Sequence, residues 1–197
     1  MSTPRIVLLA SGTGSLFEAL ANEQEAKGFK IVALITDAHV PALEIAQRFE
    51  IPTFIVPMTP ERSVWDESML MTLRSLHPDL VVSAGFMRIL DPKIVDEFEG
   101  KLINTHPALS PEFPGAHAVR DALAAGVTLT GTTVHFVDAG VDTGAIIDQV
   151  SVEILPDDTQ ASLHERIKVQ ERILLVETVE KIISNKIKYE NGSVITQ

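Results

Sequence analysis

Ile6-Val7-Leu8-Leu9-Ala10-Ser11-Gly12-Thr13-Gly14-Ser15 runs from a strand through a glycine turn into the start of a helix. The apolar run, flanked by Pro4 and Gly12, reads as a buried strand. Ser15 to Ala26 then follows with Leu16, Ala19 and Leu20 on one helical face. The same phrase repeats downstream. Ile31 to Ile35 is a second strand and Pro41 to Phe49 a second helix. Thr53 to Val56 is a third strand, and Glu61 to Leu76 a longer helix with Trp65, Met69, Leu70 and Leu73 at helical spacing. Leu80 to Ala84 is apolar enough to belong at the centre of a sheet. This alternation predicts an α/β fold: a Rossmann-like, mostly parallel central sheet with helices on both faces. Ligands in such sheets sit at the carboxyl ends of strands, here just after residues 10, 35, 84 and 103.

The second half changes texture. Leu129 to Val137 and Ala145 to Ile154 read as longer antiparallel strands joined by the loop Asp138 to Gly144. Thr159 to Asn185 reads as a long helix carrying Leu163, Ile167, Ile173, Leu174, Val176 and Val179. The tail from Ile187 to Ile195, with Asn191-Gly192 as its turn, reads as a hairpin. No linker rich in Pro, Gly or Ser divides residues 1–197, so a single domain is expected.

Composition narrows the classes. The chain has 197 residues, 45% hydrophobic and 22% charged, with a net charge of −11 from 16 basic and 27 acidic side chains. No dense Lys/Arg run offers a nucleic-acid surface. The global field opposes anions, so an anionic ligand has to be held by local donors. The absence of cysteine removes disulfides, thiolate nucleophiles and Cys-based metal sites. The N-terminal apolar run is shorter than a signal peptide or a membrane span wants. A cytoplasmic protein without membrane attachment is the expectation.

Four segments could carry chemistry. Gly12-Thr13-Gly14-Ser15 follows a strand and opens a helix, where free amides attract a phosphate. It lacks the third glycine of a dinucleotide fingerprint and the Lys-Ser/Thr of a P-loop, so a plain turn stays open as well. Met87-Arg88-Ile89-Leu90 follows the most buried strand, where it could hold a planar heterocycle or form a simple strand-to-helix loop. Asn104 and His106 lie two apart at a strand end, on one face, before a loop stiffened by Pro107, Pro111 and Pro114. An amide donor beside an imidazole suits acyl transfer: one stabilises an oxyanion while the other moves a proton. The loop Asp138 to Gly144 offers Asp142, with Asp138 as alternative, as a carboxylate that would raise the imidazole's pKa. His117 is close enough in sequence to be a supporting group. His135 either shares a face with the site or is simply packed. No third ligand supports a metal site.

Ser-Gly-Thr-Gly-Ser at 11–15, Ala-Gly-Phe-Met-Arg-Ile-Leu at 84–90 and Asn-Thr-His-Pro at 104–107 together resemble the folate-dependent formyltransferases. Gly-Thr-Thr-Val-His-Phe-Val at 131–137, Asp-Thr-Gly at 142–144 and Lys-Val-Gln-Glu at 168–171 extend the likeness over nearly the whole chain. The N-terminal turn and the length favour the phosphoribosylglycinamide formyltransferases among them. The resemblance implies a formyltransferase fold whose N-terminal half binds phosphate and ribotide and whose C-terminal half binds folate and carries catalysis. It implies 10-formyltetrahydrofolate as co-substrate, 5-phosphoribosylglycinamide as acceptor, and no metal. Asn104, His106 and Asp142 match the family's catalytic trio. Gly12, Thr13, Gly14, Ser15 and Leu16 match the ribotide phosphate turn, with Glu171 near the sugar or amine. Arg62, Met87, Arg88, Ile89, Leu90, Asn104, Asp138, Ala139, Gly140 and Val141 match the folate pocket. Leu16 stands where many members carry Asn, and Ser110 where Leu is usual. A 10-formyltetrahydrofolate hydrolase or another folate-dependent amine formyltransferase remains the alternative. Monomer and homodimer are both open.

Overall fold

A computed structural model describes residues 2–196, in two compact units that divide between Ile103 and Asn104. In the first unit, β1 (Arg5–Ala10), α1 (Ser15–Lys27), β2 (Lys30–Thr36), α2 (Ala42–Arg48), β3 (Thr53–Ile55), α3 (Arg62–Leu76) and β4 (Leu80–Ser83) follow the expected alternation. A short helix, α4 (Pro92–Glu97), follows before β5 (Leu102–His106). The remaining elements are α5 (Ala118–Ala125), β6 (Leu129–Phe136), β7 (Ile146–Glu153), α6 (Gln160–Ile183), β8 (Ile187–Glu190) and β9 (Ser193–Thr196). Seven strands form one mostly parallel sheet in the order β3-β2-β1-β4-β5-β6-β7; β8 and β9 form a separate hairpin. The apolar run at 80–84 therefore supplies the middle strand.

In the first unit β1 lies between β2 and β4, parallel to both, and Ile6 to Ala10 are fully buried. Each such aliphatic side chain stabilises the fold by roughly 1.5–3 kcal/mol. Right-handed crossovers put α1 and α2 on one face of this half-sheet and α3 on the other. The buried stripe of α1 is Leu16, Phe17, Leu20 and Ala21, so Phe17 and Ala21 replace the expected Ala19. The reason is size: the bulky ring at 17 turns its own side of the helix inward. On α3, Trp65, Met69 and Leu73 are buried and Leu70 only half so. Trp65 donates from its indole Nε1 to the Val56 carbonyl at 2.9 Å and stacks on Phe86 with ring centroids 6.4 Å apart.

The turn between β1 and α1 needs its second glycine. Gly14 has φ 79°, and a Cβ there would stand 2.7 Å from the Cβ of Ala42. The Ala42 N–H donates to the Gly12 carbonyl at 3.2 Å, so the first turn of α2 pins the loop. Two short helices were not expected from hydrophobic periodicity. For α4 a signal was present: Asp91 caps it by accepting from the Lys93 N–H, and Pro92 occupies its first turn.

In the second unit β6 and β7 pair antiparallel, with a register irregularity between Val134 and His135. Helix α6 opens with a reciprocal Thr159–Ser162 capping box. Its buried stripe is Leu163, Ile167, Glu171, Leu174, Leu175, Thr178 and Val179. Ile173, expected in the core, is 52% exposed, and Val176 is half-buried. The two residues that would keep an apolar periodicity pure yield to Glu171 and Thr178, which are buried. The terminal hairpin forms as expected, with Asn191 at φ 51° and Gly192 at φ 79°, the two positive angles of a tight hairpin turn. Thr159→Ala should lower the unfolding free energy by about 1 kcal/mol through the lost cap. Urea titration of the two proteins side by side measures this.

Candidate active site

Strand β5 ends in the first chemical group. Asn104 and His106 both reach Asp142, in the loop that follows β6. His106 Nδ1 is 3.3 Å from Asp142 Oδ2, and Asn104 Nδ2 donates to Asp142 Oδ1 at 3.3 Å. The Gly115 N–H donates to Asp142 Oδ2 at 2.8 Å. Asp142 itself has φ 55°, a left-handed conformation that Asp tolerates better than most residues. The alternative carboxylate is committed elsewhere: Asp138 Oδ1 accepts from the Gly140 N–H at 3.0 Å and the Thr143 hydroxyl at 2.8 Å, folding its own loop. Gly144 closes that loop, since a Cβ there would overlap the Phe136 carbonyl at 1.7 Å.

His135 is the residue that sequence reasoning left open, and it belongs to the cluster. Its side chain is buried, with Nε2 3.2 Å from Asn104 Nδ2 and 3.6 Å from Asp142 Oδ1. A carbonyl oxygen only accepts, so Nδ1, 2.9 Å from the Phe136 carbonyl, carries the proton. Nε2 then accepts from Asn104. Strand alternation offered a hint of this placement. The register irregularity beside His135 left no trace in residue types. His117, by contrast, is exposed at the start of α5 and makes no contact with the trio.

The charges of the cluster are set by burial and by one another. His106 Nε2 faces the Phe113 carbonyl at 2.9 Å, so that nitrogen is the protonated one. Burial pulls His106 below the ordinary histidine value, against the opposing pull of Asp142 and the Phe113 carbonyl. The expected elevation by Asp142 is thus present as a contribution but outweighed. Burial pushes the Asp142 carboxyl up, while hydrogen bonding, that of the Gly115 N–H included, holds it below its usual range. On α6, Glu171 is 6% exposed, and burial raises its pKa against a hydrogen bond with Thr105.

The loop from 107 to 115 that supplies Phe113 and Gly115 is anchored by Thr133. Its hydroxyl accepts from the Ser110 N–H at 3.0 Å and donates to the Ala108 carbonyl at 2.7 Å. Gln149 Nε2 donates to the Ser110 carbonyl at 2.9 Å. Ser110, departing from the usual Leu, is held here through its backbone.

The first unit holds a second group. No side chain caps α1, so the amides of Ser15, Leu16 and Phe17 have no helical partner. The Leu16 side chain is buried, which leaves only its N–H for a ligand. Arg88 Nε donates to Asp37 Oδ2 at 2.6 Å. Arg62 lies over the Trp65 ring at 4.7 Å, pairs with Asp66 at 2.7 Å and donates to the Ile89 carbonyl. Met87 and Ile89 are exposed, at 67% and 66%. Among the described residues no group of three or more His, Asp and Glu is placed to hold a metal ion, and no helix is long and apolar enough to cross a membrane.

The family model described as formyl transferase matches residues 4–179. The chain belongs to that family. This formyl transferase is 50% identical over 178 residues to the phosphoribosylglycinamide formyltransferase of Mycobacterium tuberculosis, covering 89% of this chain and 83% of that one. The glycinamide ribonucleotide transformylase 1 of Symbiobacterium toebii superposes with a TM-score of 0.94 at 33% identity, covering 98% and 94% of the two chains. The phosphoribosylglycinamide formyltransferase of Anaplasma phagocytophilum superposes at 0.92 and 38% identity, covering 100% and 95%.

Because folded His106 resists protonation, the unfolded chain binds more protons once pH falls below the ordinary value of 6.5. The stability of this formyl transferase should then fall as pH drops through that window. Glu171 acts with the opposite sign above 4.5, since its folded form keeps the proton. Urea unfolding at about pH 7.5 and about pH 5.5 should show a smaller loss in His106→Asn than in the wild type. An equal loss would assign the acid sensitivity to other groups.

Proposed function

We propose that the protein transfers the formyl group of 10-formyltetrahydrofolate to the amine of 5-phosphoribosylglycinamide. The products are N-formylglycinamide ribonucleotide and tetrahydrofolate, a step of purine biosynthesis. The observation that carries this reading is the Asn104–His106–Asp142 cluster in a chain half identical to a phosphoribosylglycinamide formyltransferase. A cysteine-free composition gives no reason to propose an oxidising compartment, and a cytoplasmic setting is part of this reading.

The acceptor's amine attacks the formyl carbon, and the carbonyl electron pair moves onto oxygen. Asn104 and His106 stabilise that oxyanion. His106, kept neutral by burial, takes the proton from the attacking nitrogen as negative charge develops beside it. Asp142 then supports the imidazolium. The proton passes to the folate nitrogen, the carbon–nitrogen bond to the carrier breaks, and the formyl group stays on the acceptor. No covalent enzyme intermediate is required.

Binding is divided between the units. In the first, the backbone of Gly12, Thr13, Gly14, Ser15 and Leu16 would hold the ribotide phosphate at the start of α1. Met87, Arg88, Ile89 and Leu90, braced by Arg62, would meet the folate. In the second, Glu171 would accept from the acceptor's sugar or amine, and Asp138, Ala139, Gly140 and Val141 would cover the pterin together with Asn104.

A formyl-transfer assay with 10-formyltetrahydrofolate and 5-phosphoribosylglycinamide tests the reading. Removing the amide in Asn104→Ala should lower kcat about a hundredfold or more, the usual cost of one oxyanion donor. Near-normal turnover would remove Asn104 from the chemistry. Release of formate without the ribotide would identify a hydrolase instead.

A further inference from the structure

We propose that Asp37, which follows β2, is the positioning residue for the formyl-donor loop at 85–90. This rests on the donor role given to that loop above. Asp37 is 5% exposed, while its partner Arg88 has a side chain 43% exposed. A buried carboxylate is kept charged only at the cost of desolvation, so its partners carry information about what it holds. Burial pushes Asp37 up, yet the Ser11 hydroxyl and the Arg88 guanidinium together keep it below the ordinary carboxylate value. Ser11 in turn accepts from the Met87 N–H at 3.0 Å and donates its own N–H to the Gly85 carbonyl at 3.1 Å. The carboxylate holds the Arg88 side chain directly through Oδ2, its Oδ1 is buried without a hydrogen-bond partner, and Ser11 holds the backbone of the same loop.

Elsewhere in the loop, Arg62 holds the Ile89 carbonyl and Phe86 packs on Trp65. The phosphate turn next to it is secured differently. Ala42 donates to the Gly12 carbonyl and packs against Gly14, contacts that do not pass through Asp37. Loss of the Asp37 charge should loosen the donor loop while leaving the acceptor's phosphate turn in place. That asymmetry separates a positioning role from general support of the fold, which would disturb both substrates.

Steady-state kinetics on Asp37→Asn, an isosteric change that removes only the charge, provides the test. KM for 10-formyltetrahydrofolate should rise about tenfold, the scale of one lost charge-assisted hydrogen bond. KM for 5-phosphoribosylglycinamide and kcat should stay within about twofold, because the change weakens donor binding alike in ground and transition states. Arg88→Lys, at the half-exposed end of the pair, keeps the charge but loses the planar fork and should show the same defect. Asp37→Glu, which keeps the charge and alters only its reach to Arg88, should raise the donor KM less than Asp37→Asn and carries the test if the Asn variant does not fold. The double variant should be no worse than Arg88→Lys alone, since both act through one contact. An unchanged donor KM in a variant of an active enzyme overturns the positioning role alone, as does an equal rise in both KM values. A wild-type protein inert with both substrates overturns the donor reading and this role together.

Discussion

The carboxylate of Asp142 is the contact on which the polar cluster of the second unit depends. It accepts from Asn104 and the Gly115 N–H, and the rings of His106 and His135 stand beside it. These groups come from the end of β5, the proline-rich loop, strand β6 and the loop after it. Removing one charge would leave several buried polar groups without a partner, and such groups are far more costly unpaired than their pairing is favourable. The surrounding structure is correspondingly firm. Thr133 and Gln149 fix the proline-rich loop, Gly144 closes the carboxylate's own loop, and Asp138 folds that loop from inside.

The two protons of Asn104 Nδ2 are committed within this network, one to His135 and one to Asp142. On the proposed chemistry, an oxyanion reaches that amide by replacing one of these internal acceptors. His106 behaves alike: burial and its carboxylate neighbour pull its pKa in opposite directions, so a new negative charge nearby decides the outcome. Both groups respond to charge that forms during reaction more than to a neutral substrate, which is the differential that catalysis needs.

Much of this was legible in residue order because periodicity and strand ends are local properties. The strand–helix alternation gave the parallel half of the sheet, and Leu80 to Ala84 its middle strand. The spacing of Asn104 and His106 placed both on one strand, and the Asn-Gly turn marked the terminal hairpin. What stayed hidden was long-range or geometric. Ile173 looked like core on a helix whose inward face in fact includes a glutamate and a threonine. His135 depended on a register irregularity, and Asp142 over Asp138 depended on which carboxylate was free once the loop had folded. The pairing of Asp37 with Arg88 joins residues 51 apart in the chain, and neither lies in a pattern that announces the other. The balance on His106 required knowing how deeply the ring is buried, which no sequence spacing encodes.

The left-handed backbone at Asp142 narrows the sequences open to this position. Glycine, asparagine and aspartate sit comfortably at a φ of 55°, and of these only aspartate is an anion. Glutamate keeps the charge, but its longer chain meets both the backbone and the short reach to Gly115 badly. Drift at 142 therefore has no neutral stepping stone: each substitution the backbone accepts discards the charge, and the one that keeps the charge strains the turn.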